Sequence, residues 1–266
     1  METHVLEGNP RISEVDLALC RSTLYSAVAL GFLPPSEETL SRLASQEGAE
    51  ALADAAAVLD ANPESELVCA ARTLAKTEAA TVTELTGSFN RLFGHTARGP
   101  VPPYETEYGI DTPFQQPQEL GDLTGFYRAF GLTLNPKEHE RADHVSCECE
   151  FLSFLALKDA YAQERRDTPM LEETRKATRL FLQNHLGRFL AAFANKLAQE
   201  DQNGFYCTLG NLCLTFVTQE CARLGIPLGP KRLSLQTVTD DKVPMGCGDG
   251  ADCPLMPGPT NPEEAE

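Results

Sequence analysis

The stretch that decides the fold is RADHVSCECEFLSFLAL, residues 141–157. Apolar side chains recur along it at the spacing of one helix face, at Val145, Cys149, Leu152 and Ala156. Three further apolar side chains widen this stripe: Phe151, Phe154 and Leu155. A stripe this broad is typical of a buried helix, so the sequence predicts a central helix in an all-helical domain. Glu148 and Glu150 interrupt the stripe and require either solvent or a partner.

The start of this helix carries an aspartate-histidine pair. Asn135-Pro136 favours an extended or turning approach, so Asp143 is predicted as the helix N-cap, where its carboxylate would accept hydrogen bonds from first-turn N–H groups. His144 is then expected near the beginning of the helix. One interpretation of the pair is purely structural, a cap beside a histidine, and the other is a binding contact.

Helical periodicity extends over most of the chain. Start and stop signals and apolar stripes predict helices that begin at Ser13, Ser36, Ala49, Pro63, Val82 and Pro117, and others over 180–197 and 205–224. No convincing strand pair or fixed-period repeat accompanies them. The sequence therefore predicts one all-α domain over residues 11–226.

One long segment lacks this periodicity. Residues 95–116, HTARGPVPPYETEYGIDTPFQQ, contain four prolines and two glycines, so they are predicted to form a loop. A loop of about 20 residues inside a compact domain is often functional. It carries Tyr104 and Tyr108 beside Glu105, residue types that suit an apolar, basic peptide. In the alternative interpretation, the loop aromatics pack on the helices beneath.

The composition changes after the last predicted helix. Residues 227–266 are rich in proline and acidic residues, which predicts an irregular C-terminal tail. The tail contains Cys247 and Cys253, which are candidate metal ligands but supply only half of a usual four-ligand site. We expect a flexible thiol pair without a stable metal.

The charge of the chain constrains its partners. Its formal net charge is −17, with 39 acidic and 22 basic residues, which argues against nucleic acid and anionic membranes and favours a basic peptide. No apolar run approaches the roughly 20 residues that span a bilayer, and no secretion signal is recognisable, so a cytoplasmic location is expected. Nine cysteines, an odd number, suit reduced thiols in that compartment.

Common catalytic signatures are missing from the sequence. It contains neither a GxxxxGK[ST] nor a GxGxxG phosphate loop, and neither HExxH nor GxSxG. Its histidines do not pair with a cysteine nucleophile at the sequence level. A catalytic triad assembled from distant residues leaves no such signature, so catalysis stays open at this point.

Three segments, in order, resemble the TorD/DmsD/NarJ family of molybdoenzyme maturation chaperones. They are FNRLF at 89–93 followed by GPVPPYETEY at 99–108, LTGFYRAFGL at 123–132, and ADHV with the following acidic EFL at 142–152. Together they span roughly residues 80–160. The sequence departs from the family pattern at Tyr104, Ala142 and Cys149.

The resemblance implies an all-helical cytoplasmic chaperone, not an enzyme and without a cofactor of its own. Such a chaperone binds the apo form of a molybdopterin oxidoreductase through its N-terminal leader, often a twin-arginine signal peptide. It also implies guanine nucleotide binding and a monomer or domain-swapped dimer. On these grounds we predict a client-binding surface formed by Tyr104, Glu105, Tyr108, Asp143 and His144. The alternatives are a thiol- or metal-binding protein using the tail cysteines and Cys147/Cys149, and a permanently attached oxidoreductase subunit.

Overall fold

The computed structural model describes residues 12–60, 62–76, 81–94, 98–109, 115–135 and 140–236. These residues form ten α-helices: α1 Glu14–Phe32, α2 Glu37–Thr39, α3 Gln46–Asp60, α4 Glu66–Thr73, α5 Val82–Phe93, α6 Gln115–Ala129, α7 Val145–Arg165, α8 Thr168–Asn184, α9 Leu186–Glu200 and α10 Phe205–Leu224. A π-helical turn, Leu40–Ala44, follows α2, and short 3-10 turns occupy Leu74–Lys76 and Glu105–Glu107. Within the described ranges β structure is limited to two isolated bridges, so the all-α prediction is confirmed.

Helix α7 packs along α1, and both helices contribute to the core. Val145, Cys149 and Leu152 are fully buried, as their spacing predicts. Between the two helices, the buried hydroxyls of Ser22 and Ser153 lie 2.9 Å apart and form a hydrogen bond. This bond satisfies two polar groups that would otherwise be costly to bury, and so fixes the contact of α7 with α1.

Aromatic side chains fill the space between the helices. Phe32 of α1 lies edge-on to Phe193 of α9, with ring centroids 5.3 Å apart. Near the N-terminal part of α7, the ring of Phe151 lies 5.0 Å from Tyr127 and 4.8 Å from Phe181. Edge-to-face pairs of this kind are favourable beyond the apolar area that they bury. The contacts of Phe151 with Tyr127 and Phe181 therefore hold α6 and α8 against α7.

Three predicted helix starts are displaced in the structure. Helix α3 begins at Gln46 rather than at Ala49. Helix α4 begins at Glu66 rather than at Pro63, because the Ser65 hydroxyl accepts the Val68 N–H and caps the first turn. Helix α6 begins at Gln115, two residues before Pro117. The predicted start at Val82 is confirmed, and Thr81 is the N-cap of α5.

The helix predicted over 180–197 is wrong, because the chain breaks it into α8 and α9. His185 leaves the helical region, with φ −124° and ψ −107°. The break presses the Leu182 carbonyl oxygen onto Gly187, where a Cβ atom would lie only 2.3 Å from it. Only glycine fits this close approach, so Gly187 was the signal for the break.

Helix α10 ends at Gly225, whose φ of 64° suits glycine, and the chain then runs back over the helices. The Gly229 N–H donates to the Gly187 carbonyl at 2.8 Å, and the Gln236 N–H donates to Glu107 at 3.0 Å. The compact unit therefore continues to Gln236, beyond the boundary that the sequence places at residue 226. The rest of the predicted tail, with Cys247 and Cys253, lies outside the described residues.

A chain that ends at Gln236 is expected to melt within about 2 °C of the full-length protein, because it keeps every contact described above. A chain that ends at Ile226 loses the backbone pairing of residues 229–236 and the packing of Leu233 and Leu235. That loss is worth roughly 2 kcal/mol, or about 4–8 °C. Thermal melting of the two truncations measures the difference, and equal melting temperatures would contradict it.

One described helix, α1, has the length and apolar composition to cross a membrane. Half of its apolar window is buried against other parts of the protein, as in a core helix. Its composition is therefore weak evidence for a membrane span.

Candidate functional site

The described part of the predicted loop, residues 98–109, is fixed to the start of α7 by backbone pairing. The Glu105 N–H donates to the Asp143 carbonyl, and the Val145 N–H donates to the Pro103 carbonyl, both at 2.9 Å. On the other side, the Val101 N–H donates to the Leu92 carbonyl at 3.0 Å. The loop is non-helical as predicted, except for one 3-10 turn, and it bridges α5 and α7.

Asp143 is fully buried and faces this loop, so its predicted role as N-cap is wrong. Its carboxylate accepts hydrogen bonds from Thr106 at 3.2 Å for N–H and 2.7 Å for Oγ1. It also accepts from Arg141, at 2.9 Å for Nε and 2.7 Å for Nη2. Since the loop engages both the carboxylate and the main-chain carbonyl of Asp143, α7 starts one residue later than predicted.

His144 caps α7 instead. Its Nδ1 atom accepts the Ser146 N–H at 3.1 Å, which places the proton of the neutral ring on Nε2. Burial, with a smaller contribution from the Arg141 charge, lowers the pKa of His144 to about 3. The imidazole is therefore neutral at physiological pH, and it satisfies a first-turn N–H group as a serine or aspartate would.

Tyr104 lies over this cap and is half-buried. Its ring is edge-on to His144 at 5.3 Å, and the Arg141 guanidinium lies 4.4 Å from the ring centroid. The Tyr104 hydroxyl donates to Glu140 at 3.2 Å. Burial, followed by the charge of Glu140, raises the pKa of Tyr104 to about 12. Tyr104 thus presents an uncharged ring held between a cation and a carboxylate.

Glu105 points away from Tyr104 into the protein, where it is fully buried. Its carboxylate lies 2.8 Å from Arg188 Nη2 and 3.0 Å from His185 Nδ1. Arg188 reaches Glu119 of α6 at 2.7 Å. Glu105 therefore joins the loop to the break between α8 and α9. Sequence reasoning missed Arg188 and His185, because about 80 residues separate them from Glu105 and no local pattern links the two regions.

Tyr108 completes the group of five predicted site residues. It is buried, its hydroxyl donates to the Pro102 carbonyl at 2.9 Å, and its ring lies 5.5 Å from Phe189. The structure thus brings all five residues together, but it buries Glu105, Tyr108, Asp143 and His144. These four residues, here the buried frame, lie beneath a surface to which the half-buried Tyr104 contributes. Tyr108 therefore follows the alternative interpretation, in which the loop aromatics pack on the helices beneath.

Glu148 of α7 is also part of this buried region. Neither of its carboxyl oxygens has a hydrogen-bond partner among the described residues, so the solvent or partner that the sequence requires is not found there. Burial, followed by the charges of Glu105 and Asp143, raises the pKa of Glu148 well above its ordinary value. The neutral acid is therefore the favoured form inside the protein.

Replacing Glu148 with methionine is expected to stabilise the protein by about 1–3 kcal/mol near pH 8, because it removes a buried polar group without partners. A carboxyl whose pKa is raised by folding destabilises the folded protein as the pH rises above the pKa that the group has in the unfolded chain. The gain in stability from Glu148→Met should therefore be smaller near pH 5 than near pH 8. Chemical denaturation at both pH values measures it. The exposed Glu164→Met change on the same helix is the control; an equal gain from that change would contradict the assignment.

Two clefts open on either side of Glu140. The first, here the Tyr104 cleft, measures about 410 Å³, and its walls include Pro35, Phe89, Phe93, Pro103, Tyr104 and His144. The second, the Cys147 cleft, measures about 400 Å³, and its walls include Tyr127, Leu134, Cys147, Glu150, Phe151 and Phe154. Glu140 lines both clefts. Each cleft thus combines apolar walls with a carboxylate, in the size range of ligand pockets.

The thiol in the second cleft is not poised for chemistry. Burial, followed by the charges of Glu150 and Glu140, raises the pKa of Cys147 to about 12, so the sulfur stays protonated. A protonated thiol is a poor nucleophile and a poor metal ligand. In the part of the chain that the structure describes, no group of three or more His, Cys, Asp or Glu side chains is arranged to hold a metal ion.

A family model for the nitrate reductase delta subunit matches residues 41–195, more than half of the chain. The chain belongs to this family. The matched span runs from the π-helical turn after α2 into α9. It includes the loop, the start of α7 and every residue of the buried frame.

Proteins similar to this chain come from several bacteria. It is 27% identical over 224 residues to the perchlorate reductase assembly chaperone protein of Dechloromonas aromatica, which covers 80% of this chain and 94% of that protein. It is 26% identical over 141 residues to the chaperone protein TorD of Vibrio parahaemolyticus, covering 53% and 64%. It is 34% identical over 107 residues to the selenate reductase assembly chaperone protein of Thauera selenatis, covering 40% and 53%.

The alignment thus spans less than two thirds of that TorD but nearly all of the perchlorate reductase chaperone. Together with the family match, these relatives confirm the resemblance to the TorD/DmsD/NarJ family that the sequence segments predict.

Proposed function

We propose that this protein is a maturation chaperone for one molybdopterin oxidoreductase, and that it binds the apo catalytic subunit through its N-terminal leader. Membership of the nitrate reductase delta subunit family supports this role, as do relatives named as assembly chaperones for perchlorate and selenate reductases. The protein holds the client in the cytoplasm until the cofactor has been inserted, and then releases it.

The observation that carries the proposal is the pair of clefts that share Glu140. A twin-arginine leader is basic at one end and apolar beyond it. An arginine beside Glu140 would form a charge-assisted hydrogen bond, and the apolar residues that follow would lie against the aromatic and proline walls. The formal charge of −17 attracts such a basic segment at long range.

The buried residues have a different role from the one that the sequence predicts. The Asp143 carboxylate holds Thr106, in the middle of the 3-10 turn, and Glu105, its first residue, is anchored to Arg188, so both fix the position of Tyr104 in the wall of the Tyr104 cleft. His144 supplies a neutral wall to the Tyr104 cleft. In this proposal Tyr104, Glu140 and Glu150 touch the leader, while Asp143, Glu105 and Tyr108 hold the surface in shape.

The raised pKa values of the described thiols weaken the part of the rival thiol or metal-binding interpretation that rests on Cys147 and Cys149. The Cys147 thiol has a pKa of about 12, which disfavours the thiolate that nucleophilic catalysis and metal binding need. The hydrogen bond with Cys213, followed by burial, raises the pKa of Cys149, and burial raises the pKa of Cys221. A permanently attached subunit is the remaining alternative, and stoichiometry distinguishes it from a transient chaperone.

The experiment is purification of the tagged full-length protein from its host, in cells with and without molybdenum cofactor synthesis, with mass spectrometry to identify any molybdopterin oxidoreductase catalytic subunit that is retained. A chaperone should retain the catalytic subunit mainly in cells that lack the cofactor. Equal stoichiometry in both cultures would indicate a permanent subunit, and no retention in either would contradict the proposal. Glu140→Lys should abolish retention, whereas Glu164→Lys, an equal charge change at an exposed position of α7, should not.

A further inference from the structure

A small cavity lies where α1, α7, α8 and α10 meet. It leaves about 20 Å³ of room for a water molecule, and one water needs about 10–15 Å³. The cavity shares no lining residue with the Tyr104 cleft or the Cys147 cleft. Its volume therefore suits a single water-sized molecule, at a place separate from the proposed leader site.

The hydroxyl of Tyr25 makes this cavity a candidate binding site. Tyr25 lines the cavity, and its side chain is buried in the core with only 1% of the residue exposed. Its hydroxyl forms no hydrogen bond with any residue that the structure describes. Burial, followed by the charge of Glu220, raises the pKa of Tyr25 well above its ordinary value, so the hydroxyl keeps its proton and can donate it. Since buried hydroxyls are nearly always hydrogen-bonded, this one indicates a ligand that accepts a hydrogen bond.

The charged side chains that line the cavity cancel one another. Arg21 Nε and Arg223 Nε both donate to Glu220 Oε1, at 3.1 and 3.0 Å, and Asp159 is the fourth charged residue of the lining. Two guanidinium groups and two carboxylates sum to zero formal charge. A buried ion would leave this sum unbalanced, which is costly, so the cavity favours a neutral molecule.

Acceptors for such a molecule are present on two helices. Glu220 Oε2 of α10 accepts one hydrogen bond from the described residues, from Arg223 Nη2 at 2.7 Å, and a carboxylate oxygen can accept a second. Thr178 Oγ1 of α8 donates to the Thr174 carbonyl at 3.0 Å, which leaves its lone pairs to accept. A molecule in the cavity thus has a donor on α1 and acceptors on α8 and α10.

We propose that this cavity binds one structural water molecule, which accepts the Tyr25 hydroxyl and donates to Glu220 and to a second acceptor of the lining. Water is neutral, fits the volume, and both donates and accepts. Buried waters typically make about three hydrogen bonds to polar groups that lack other partners. The water connects α1 to α10 beside the Arg21–Glu220 ion pair, which joins the same two helices.

The test is oxygen-17 magnetic relaxation dispersion of the full-length protein, which counts the water molecules that stay bound for longer than the protein takes to tumble. Ala18→Val adds two methyl groups to a buried lining residue, and it should remove one such water. Tyr25→Phe keeps the ring but removes one hydrogen bond of the water, which should shorten the residence time roughly two- to tenfold. Tyr161→Phe, the same change at an exposed tyrosine of α7, is the control and should change neither quantity.

Equal numbers of long-lived waters in Ala18→Val and in the unaltered protein, with equal helix content by circular dichroism, would overturn the proposal. Equal residence times in Tyr25→Phe and Tyr161→Phe would overturn it as well. Should Ala18→Val not fold, Tyr25→Phe decides alone, because that change keeps the packing of the ring: a shortened residence time supports the water, and an unchanged one contradicts it.

Discussion

Replacing Asp143 with alanine is expected to lower the free energy of unfolding by about 3–5 kcal/mol, because it removes a fully buried carboxylate that accepts hydrogen bonds from both Thr106 and Arg141. The change leaves the Arg141 guanidinium without its closest carboxylate and leaves the Thr106 N–H and hydroxyl without their acceptor. The melting temperature should fall by roughly 10 °C. Asp143→Asn keeps one acceptor oxygen and should cost less, about 1.5–3 kcal/mol.

Urea denaturation of the full-length variants measures these losses. Asp54→Asn, an exposed aspartate on α3, is the control and should change stability by less than about 0.5 kcal/mol. A simple N-cap would tolerate Asp143→Asn, because asparagine caps helices as well as aspartate does. Unchanged stability of Asp143→Asn would therefore contradict the buried frame described above and restore the capping role.

The helices could be predicted from sequence because their causes are local. The apolar spacing of Val145, Cys149 and Leu152 requires only that one helix face be buried, and the capping box at Ser13 forms within four residues. The long loop was equally predictable, since Pro102 and Pro103 remove backbone donors and exclude a helix. These features account for the fold class and for most of the element boundaries.

The partners of the buried polar residues could not be predicted, since they depend on contacts between distant parts of the chain. The position of Asp143 in the sequence predicts an N-cap, but in the folded protein its carboxylate accepts hydrogen bonds from Thr106 and Arg141. Glu105 reads as a surface acid, but it meets Arg188 and His185 inside the core. A carboxylate has the same local pattern whether it faces water or a buried guanidinium, so the sequence could not distinguish the two.

The clefts were missed for a related reason. Their walls come from separate segments: Phe89 and Phe93 of α5, Pro35 before α2, and Phe151 and Phe154 of α7. Glu140, the one residue common to both, carries no motif of its own, and the sequence drew attention to Asp143 three positions later. The family segments identified the right region of the chain but not the side chains that face its surface.

Replacing Glu140 with glutamine is expected to weaken binding of the client leader tenfold to a hundredfold, through loss of one charge-assisted hydrogen bond worth on the order of 1.5–3 kcal/mol. Glutamine keeps the size of the side chain and an acceptor for the Tyr104 hydroxyl, so the cleft walls should stay in place. The loss should shrink as salt is added, because the contact is partly exposed.

Calorimetry with a synthetic leader peptide measures this affinity, and thermal melting of each variant shows whether the fold is intact. Glu164→Gln removes the same charge from an exposed site on α7 that lines neither cleft, and it should leave the affinity within about twofold. A peptide in which both arginines are replaced by glutamine should bind weakly to the unaltered protein and be insensitive to Glu140→Gln. Equal sensitivity of both peptides would contradict an arginine contact at Glu140.

The most direct test of the central claim is photo-crosslinking of a leader peptide that carries a benzophenone immediately after its arginine pair, followed by mass spectrometry of the labelled chain. If the arginines lie at Glu140, the label should be confined to residues of the Tyr104 and Cys147 clefts, such as Phe89, Phe93, Cys147 and Phe154. Saturable labelling that maps instead to α3 or α10 would contradict the proposed leader site.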